Sequence, residues 1–333
     1  MYCIHLKNCD YFSFSKNCIG NKGFNLLALC QLGIKVPEGF IIPIEICRNY
    51  LTGNKSIIDN LKNEIITSIH DIELSSGKKL GDENNPLIFS IRSGASVSMP
   101  GMLDTILNVG LNERILLSCR QTYLYQSYLR FIISYAKTVK KVFIESEEES
   151  RPHSFYDKLE RDEILSIIGK YKKRYKYKVG ELFPEDPLEC IINCIIAVFN
   201  SWENEHVEFY RKNKGIPHNL YTAVIVQRMV FGNLNTNSGT GVIFTSNPIN
   251  KKQELYGEYL AMAQGEDIVS GISNPNPIEQ LLDDNAEIYH ELKAIGCQIE
   301  NHFGCPQDIE FTYEDGKVYV LQARDMPILS KQI

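Results

Sequence analysis

A candidate β-hairpin near the end of the chain carries polar side chains in a pattern that could do chemistry. Residues 308–313 and 317–324 alternate between polar and apolar side chains, and three residues ending in Gly316 separate the two segments. A three-residue loop with glycine at its last position is a common hairpin connection. The pattern therefore predicts two antiparallel strands with one polar face and one apolar face.

The register of this hairpin decides which side chains share a face. The loop predicts that Asp308 lies opposite Gln322 and Glu310 opposite Val320. The residues expected on the polar face are Asp308, Glu310, Gln322 and Arg324, and those expected on the apolar face are Ile309, Phe311, Tyr319, Leu321 and Ala323. Paired carboxylates suit Mg²⁺ with a nucleotide phosphate, and an arginine can clamp a phosphate through two hydrogen bonds. A solvated outer face with surface ion pairs is the alternative.

Further segments could approach an anion. Residues 90–102 (SIRSGASVSMPGM) follow an apolar strand, and their small side chains let the backbone come close while Arg92 neutralises charge. An ordinary surface loop is the alternative. Residues 20–23 (GNKG) place Lys22 at a predicted helix start, where backbone amides favour anions. Residues 237–242 (NSGTGV) are either a plain turn or a glycine-rich flap over phosphates, and no Gly-Lys-Ser/Thr follows as in a P-loop.

Residues 264–267 (QGED) place two carboxylates after an apolar strand. Such a pair can reach a metal or can cap the following segment. Taken alone, the residues favour capping.

The elements that must position these residues alternate irregularly between helices and strands. Helices are predicted at residues 22–32, 43–51, 57–72, 112–143, 187–212 and 277–303, and strands at 36–42, 87–91, within 221–263 and at 308–324. This irregular order predicts an α+β fold. We expect a first segment at 1–110, a mainly helical linker subdomain at 111–220, and a C-terminal segment with the hairpin at 221–333.

The composition restricts the kind of partner. The chain has 333 residues, of which 44% are hydrophobic, and its net charge is −6. This charge argues against binding to nucleic acid or to a membrane surface, and the basic segment 170–178 is interpreted as a solvated helix face. The ten cysteines include no C-x-x-C, and Cys190 and Cys194 are expected to be buried small hydrophobes. With no signal peptide or membrane span recognisable, we expect a cytoplasmic protein.

Taken together and in this order, the motifs resemble the N-terminal nucleotide-binding domain of the pyruvate phosphate dikinase family. The stretches that carry the resemblance are GNKGFNLLALCQLGIKVPEGFII, FSIRSGASVSMPGMLDTILNVGLN, AVIVQRMVFGN, SGTGVIFTSNP, YGEYLAMAQGEDIVSGI and QDIEFTYEDGKVYVLQAR. They match this family more closely than the related phosphoenolpyruvate synthases or glucan water dikinases. The resemblance implies an ATP-grasp fold with mixed or antiparallel sheets, and Mg²⁺ as the cofactor.

The resemblance also implies roles for individual residues. Arg92 and Arg324 would be catalytic, with Arg324 on the transferring phosphates. The implied nucleotide-binding residues are Lys22, Arg92, Gly101, Thr240, Gly241, Glu266, Glu310 and Gln322, with Thr240 and Gly241 on a loop that covers the phosphates. The implied metal-binding residues are Asp308, Glu310 and Gln322.

In this family ATP, phosphate and pyruvate give AMP, pyrophosphate and phosphoenolpyruvate, and a histidine on a swivelling domain carries the phosphoryl group to a barrel domain. The sequence contains no Thr-x-His-Ala carrier motif. We therefore expect ATP and phosphate as ligands, and a phosphohistidine and barrel chain as a partner in trans. A non-catalytic nucleotide-binding remnant and an ATP-binding regulatory module are the alternatives.

Overall fold

The computed structural model describes residues 2–7, 11–118, 121–145, 159–269 and 274–326. Its α-helices are α1 (Lys16–Gln31), α2 (Ile44–Leu51), α3 (Ile57–Ser76), α4 (Glu113–Ser118), α5 (Thr122–Thr138), α6 (Arg161–Val179), α7 (Pro187–Ser201), α8 (Glu205–Lys214), α9 (Gly265–Val269), α10 (Leu281–Asp284) and α11 (Ala286–Phe303). Short 3₁₀ helices cover Tyr11–Ser13, His218–Leu220 and Ile278–Gln280. Helices and antiparallel strands are interleaved, so the predicted α+β class is confirmed.

The first sheet has the strand order β1-β2-β5-β3-β4, and all of its pairs are antiparallel. Its strands are β1 (Ile4–His5), β2 (Gly39–Ile42), β3 (Phe89–Ala95), β4 (Thr105–Val109) and β5 (Thr222–Arg228). Every residue of the central strand β5 is buried. Helices α2, α5 and α7 pack on this sheet and supply much of the apolar core around it.

The second sheet has the order β10-β9-β6-β7-β8 and is also antiparallel. Its strands are β6 (Gly239–Phe244), β7 (Tyr256–Ala261), β8 (Asn276–Pro277), β9 (Gln307–Glu314) and β10 (Lys317–Asp325). Helix α11 packs on β9 and β10 with buried residues at helical spacing, namely Ile288, Leu292, Gly296 and Ile299. The candidate hairpin therefore lies at one edge of the second sheet, and helix α11 covers one face of the hairpin.

The chain forms two compact units. The first comprises residues 1–24 and 38–229 and contains the first sheet; the second comprises 25–37 and 230–333 and contains the second sheet. Strand β5, which we expected in the C-terminal segment, pairs with β2 and β3 in the first sheet. The three-part division of the chain stays a prediction.

Two long predicted helices are each broken in the structure. The helix expected at 112–143 is divided into α4 and α5, and the helix expected at 187–212 is divided into α7 and α8 around Trp202. The Trp202 indole is buried, its Nε1 donates to the carbonyl of His218 at 2.9 Å, and the Arg211 guanidinium lies 4.2 Å from its ring centroid. These contacts are tertiary, so helical periodicity alone could not predict the break.

Helix α7 is rich in apolar residues, and eight of its side chains are buried. It begins at Pro187 after Asp186, whose side chain accepts a hydrogen bond from the amide of Glu189. Cys190 and Cys194 are buried on it, as expected, and burial raises the pKa of the Cys190 thiol to about 12. Within the described ranges, no helix combines the length and the apolar character that crossing a bilayer requires.

Candidate functional site

The hairpin of β9 and β10 forms with a different register from the predicted one. Its loop has two residues, Asp315 and Gly316, both with positive φ (49° and 74°), and not three. An irregularity between Val320 and Gln322 then shifts the pairing by one residue. The predicted pairs were therefore wrong: Asp308 lies opposite Arg324, and Glu310 lies opposite Gln322.

This bulge changes the apolar face but preserves the polar one. Asp308, Glu310, Gln322 and Arg324 share a face, as predicted. The apolar prediction was wrong for two residues, because Val318 and Val320 are the buried ones while Tyr319 and Leu321 are only half-buried. One extra residue in β10 reverses the alternation between the turn and the bulge, which explains the exchange.

The four polar residues are joined in pairs across the strands. Arg324 donates to Oδ2 of Asp308 from Nε at 2.8 Å, and its Nη2 lies 2.7 Å from the same oxygen. Gln322 Nε2 donates to Oε1 of Glu310 at 3.2 Å. The Asp308 side chain is 5% exposed and that of Arg324 is 40% exposed, so the carboxylate is held inside and the guanidinium reaches solvent.

The Asp308 carboxylate is only partly satisfied. Burial raises its pKa, the charge and hydrogen bond of Arg324 lower it, and Glu310 raises it, with the net shift upward. Its Oδ1 atom is buried and has no hydrogen-bond partner in the described part of the chain. A buried oxygen of this kind, beside a second carboxylate and an amide, fits the hard donors that Mg²⁺ prefers.

Among the described residues, no third carboxylate, histidine or cysteine joins Asp308 and Glu310. No group of three or more His, Cys, Asp or Glu side chains with metal-site geometry occurs among the residues that the structure describes. The side-chain donors that the structure brings together here are the Asp308 and Glu310 carboxylates and the Gln322 amide.

Thr240 and Gly241 lie in strand β6, and the expectation that they form a loop was wrong. Strands β7 and β9 flank β6 on both sides, so its backbone belongs to the sheet. The Thr240 hydroxyl donates to the carbonyl of Phe311 at 3.0 Å. A Cβ on Gly241 would overlap the Phe311 ring. The glycine at this position is therefore explained by aromatic packing on the apolar face.

The two carboxylates within residues 264–267, Glu266 and Asp267, differ in burial. Asp267 is buried, and its Oδ2 accepts a hydrogen bond from the amide of Gln264 at 2.8 Å, which confirms a local capping contact. Glu266 lies beside it in the short helix α9 and is exposed.

In the first unit, close backbone approach brings Lys22 beside the strand that carries Arg92. Gly20 interrupts helix α1 with φ 72°, and a Cβ there would overlap the carbonyl of Gly94 in β3. The Cβ of Lys22 lies 3.7 Å from where a Cβ on Gly94 would be. Arg92 lies two residues before Gly94 on the same strand and is half-buried.

Gly101 lies in the loop between β3 and β4, is exposed, and has φ 69°. Two side chains from outside this loop contact it. His206 Nε2 is 3.2 Å from the carbonyl of Met102, and Lys141 Nζ is 3.6 Å from Asp104 Oδ2. Asn25 was not predicted from the sequence: its Nδ2 donates to the carbonyl of Ala323, which is 298 positions away, and no local signal indicates such a contact.

Comparison with known proteins gives a consistent set of relatives. The family model "Pyruvate phosphate dikinase, AMP/ATP-binding domain" matches residues 54–286 and 276–333. The chain is 41% identical over 323 residues to pyruvate, phosphate dikinase of Clostridium symbiosum. This alignment covers 93% of this chain and 37% of that protein. It is 37% identical over 320 residues to the chloroplastic pyruvate, phosphate dikinase 1 of Zea mays, and this alignment covers 93% of this chain and 34% of that protein. It is 39% identical over 333 residues to the pyruvate, phosphate dikinase of Rhizobium meliloti, with 92% of this chain and 37% of that protein covered.

The chain thus spans little more than a third of the length of these relatives. Its match to the domain model extends over most of its residues. The chain belongs to the family of pyruvate phosphate dikinase AMP/ATP-binding domains.

Proposed function

We propose that this chain binds ATP with Mg²⁺ on the polar face of the β9–β10 hairpin and prepares a phosphoryl group for transfer. The observation that carries the proposal is the arrangement of Asp308, Glu310, Gln322 and Arg324 on one face, with a buried carboxylate oxygen that lacks a hydrogen-bond partner in the described residues. Such an oxygen has lost its hydrogen bonds to water without gaining one from the protein, so a bound cation would stabilise it.

Asp308 and Glu310 would hold the Mg²⁺ ion together with Gln322. The ion, when bound, would neutralise the negative charge of the polyphosphate. The Gln322 amide already donates to Glu310 and so orients that carboxylate. Arg324 reaches solvent while it is tethered to Asp308, which leaves guanidinium hydrogens available for a phosphate.

We extend the proposal to residues outside the hairpin face. Lys22 and Arg92 would contact phosphates, and Arg92 would be catalytic, because the two cations beside β3 would offset the charge that builds up during transfer. Gly101 would bring exposed loop backbone to the nucleotide, and Glu266 would support the nucleotide site. Thr240 would support the nucleotide site from strand β6, where it lies opposite Thr312 on the same face as Glu310.

The proposed reaction is that of the family: ATP, phosphate and pyruvate give AMP, pyrophosphate and phosphoenolpyruvate. This chain would supply the ATP-dependent step of an ATP-grasp domain, and a carrier-histidine domain with its barrel would complete the reaction. None of the described cysteines forms a disulfide, which fits the proposed cytoplasmic location.

The test is a thermal-shift titration followed by a transfer assay. MgATP is expected to raise the melting temperature, and Arg324→Ala is expected to remove most of that rise, since it deletes the proposed phosphate clamp. An unchanged rise in the variant would contradict the assigned site. The transfer assay incubates the chain with labelled ATP, phosphate and a separately produced carrier domain, and labelled phosphohistidine is the expected product. Binding without transfer would favour the nucleotide-binding remnant.

A further inference from the structure

The outer edge of β10 is held at two points, one on each side of its bulge. Strand β10 ends the order of the second sheet, and an edge strand presents backbone groups that the sheet does not pair. The amide of Val320 donates to the carbonyl of Lys35 at 2.9 Å. The carbonyl of Ala323 accepts from Nδ2 of Asn25 at 2.8 Å. Both contacts come from residues 25–37, which belong to the same compact unit as the hairpin.

The side chain of Asn25 is buried and makes its hydrogen bond to the carbonyl of Ala323. It is 4% exposed, and its Oδ1 atom is buried without a hydrogen-bond partner among the described residues. The bond to Ala323 is therefore the one hydrogen bond that the side-chain amide makes within the described ranges. A buried amide that leaves one atom unpaired destabilises the fold, so apolar packing alone does not account for an asparagine here.

We propose that Asn25 is a positioning residue for the polar face of the hairpin. Ala323 lies between Gln322 and Arg324, and fixing its carbonyl fixes the backbone from which both of those side chains project. A bulged strand can shift its register, and such a shift would move Arg324 away from Asp308. Asn25 thus acts on the nucleotide through Arg324. The inference rests on the proposed function, because it assumes that this face binds MgATP.

The test compares the affinities for ATP and AMP, both with Mg²⁺, in Asn25→Asp. This change keeps the shape of the side chain but removes the donor, and Asn25→Ala repeats the test if the aspartate variant does not fold. Because AMP lacks the outer phosphates, ATP affinity is expected to fall about tenfold while AMP affinity changes less than about twofold. Combining N25D with R324A is expected to cause no loss of ATP affinity beyond that of R324A, since both act through one guanidinium.

Asn112→Asp provides a matched control. Asn112 is 3% exposed, and its Nδ2 donates to the carbonyl of Glu185 at 3.3 Å in the first unit. Its variant is expected to lower the melting temperature and to leave the ratio of ATP to AMP affinity unchanged. Equal losses for ATP and AMP in Asn25→Asp, no loss for either, or additive losses in the double variant would each overturn the positioning role. A wild-type chain that fails to bind MgATP would instead refute the proposed function.

Discussion

Two arginine–carboxylate pairs, one in each unit, show how the same chemical groups serve different ends. In the first unit, Arg228 Nε lies 2.6 Å from Glu38 Oε2, and the arginine is the more buried partner (7% against 22% exposed). In the second unit, Arg324 lies 2.7 Å from Asp308, and the carboxylate is the buried partner (5% against 40%). The fold encloses a cation in the first pair and an anion in the second.

The pKa values of the two carboxyl groups, Glu38 and Asp308, shift in opposite directions. Burial opposes ionisation of Glu38, but the charge and hydrogen bond of Arg228 outweigh it, so the pKa of Glu38 is lowered. Burial of Asp308 outweighs the influence of Arg324, so the pKa of Asp308 is raised. The fold therefore favours the ionised form of Glu38, whereas it disfavours the ionised form of Asp308. This difference separates a structural ion pair from a candidate binding group.

The largest expected effect is on the structural pair. Glu38→Gln removes the carboxylate from a buried arginine and is expected to lower the free energy of unfolding by about 3 kcal/mol, without changing MgATP affinity. Urea unfolding measures the first quantity and calorimetry the second. Because the folded pKa of Glu38 is lowered, the wild-type advantage should be present above the unfolded pKa and should disappear as pH falls through the folded one. A decrease of less than about 1 kcal/mol in the free energy of unfolding would contradict this expectation, because exposed ion pairs contribute no more than that.

The second effect is on the candidate binding group. Asp308→Asn keeps the size of the side chain but removes its charge, and MgATP affinity is expected to fall about 100-fold. Asp325→Asn is the matched control, because Asp325 is exposed at the end of the same strand and accepts a hydrogen bond that asparagine can also accept. If both variants bind MgATP equally well, Asp308 is not a metal-binding residue.

A third and smaller effect tests why β6 carries glycine. Gly241→Ala places a Cβ against the Phe311 ring, and we expect unfolding to become easier by about 1–3 kcal/mol. Gly169→Ala is the control: this glycine lies inside α6 with no neighbour within 4 Å of an added Cβ, and the change should stabilise the protein by about 0.5–1 kcal/mol. Equal melting temperatures for the two variants would contradict the packing explanation.

The smallest effect is the pH dependence of Asp308. Because its folded pKa is raised, its contribution to stability is present below the unfolded pKa and is lost as pH rises through the folded one. Without Mg²⁺, wild type should therefore lose stability relative to Asp308→Asn on raising the pH from about 3 to 7. Mg²⁺ with ATP should reverse the difference at the upper end of that range. Parallel melting curves for the two proteins at every pH would contradict this account.

The sequence predicts the composition of the polar face because alternation is a local property. Asp308 and Glu310 are two residues apart, as are Gln322 and Arg324. The two members of each pair therefore lie on the same face of their own strand, whatever the register between the strands. The cross-strand partners could not be predicted in the same way. The bulge between Val320 and Gln322 is flanked by contacts from residues 25–37, which no pattern within the hairpin reveals.

Glycine-rich segments were the least predictable part of the candidate site. A glycine has no side chain to show whether it faces a core or solvent, so the segment around Gly241 shows no strand alternation and predicts a turn or a flap. The ring of Phe311, 70 positions later, is what requires a glycine there. Gly20 was recognised as a helix entry, but its contact with Gly94 is again a long-range feature.

The most direct test of the central claim is a calorimetric titration of the wild-type chain with ATP, first with Mg²⁺ and then with a chelator in its place. We predict saturable binding that weakens strongly when Mg²⁺ is removed, because the Mg²⁺ ion would no longer join the two carboxyl groups of Asp308 and Glu310 to the polyphosphate. Absence of binding, or equal affinity with and without Mg²⁺, would contradict the assignment of the hairpin face as the site for MgATP.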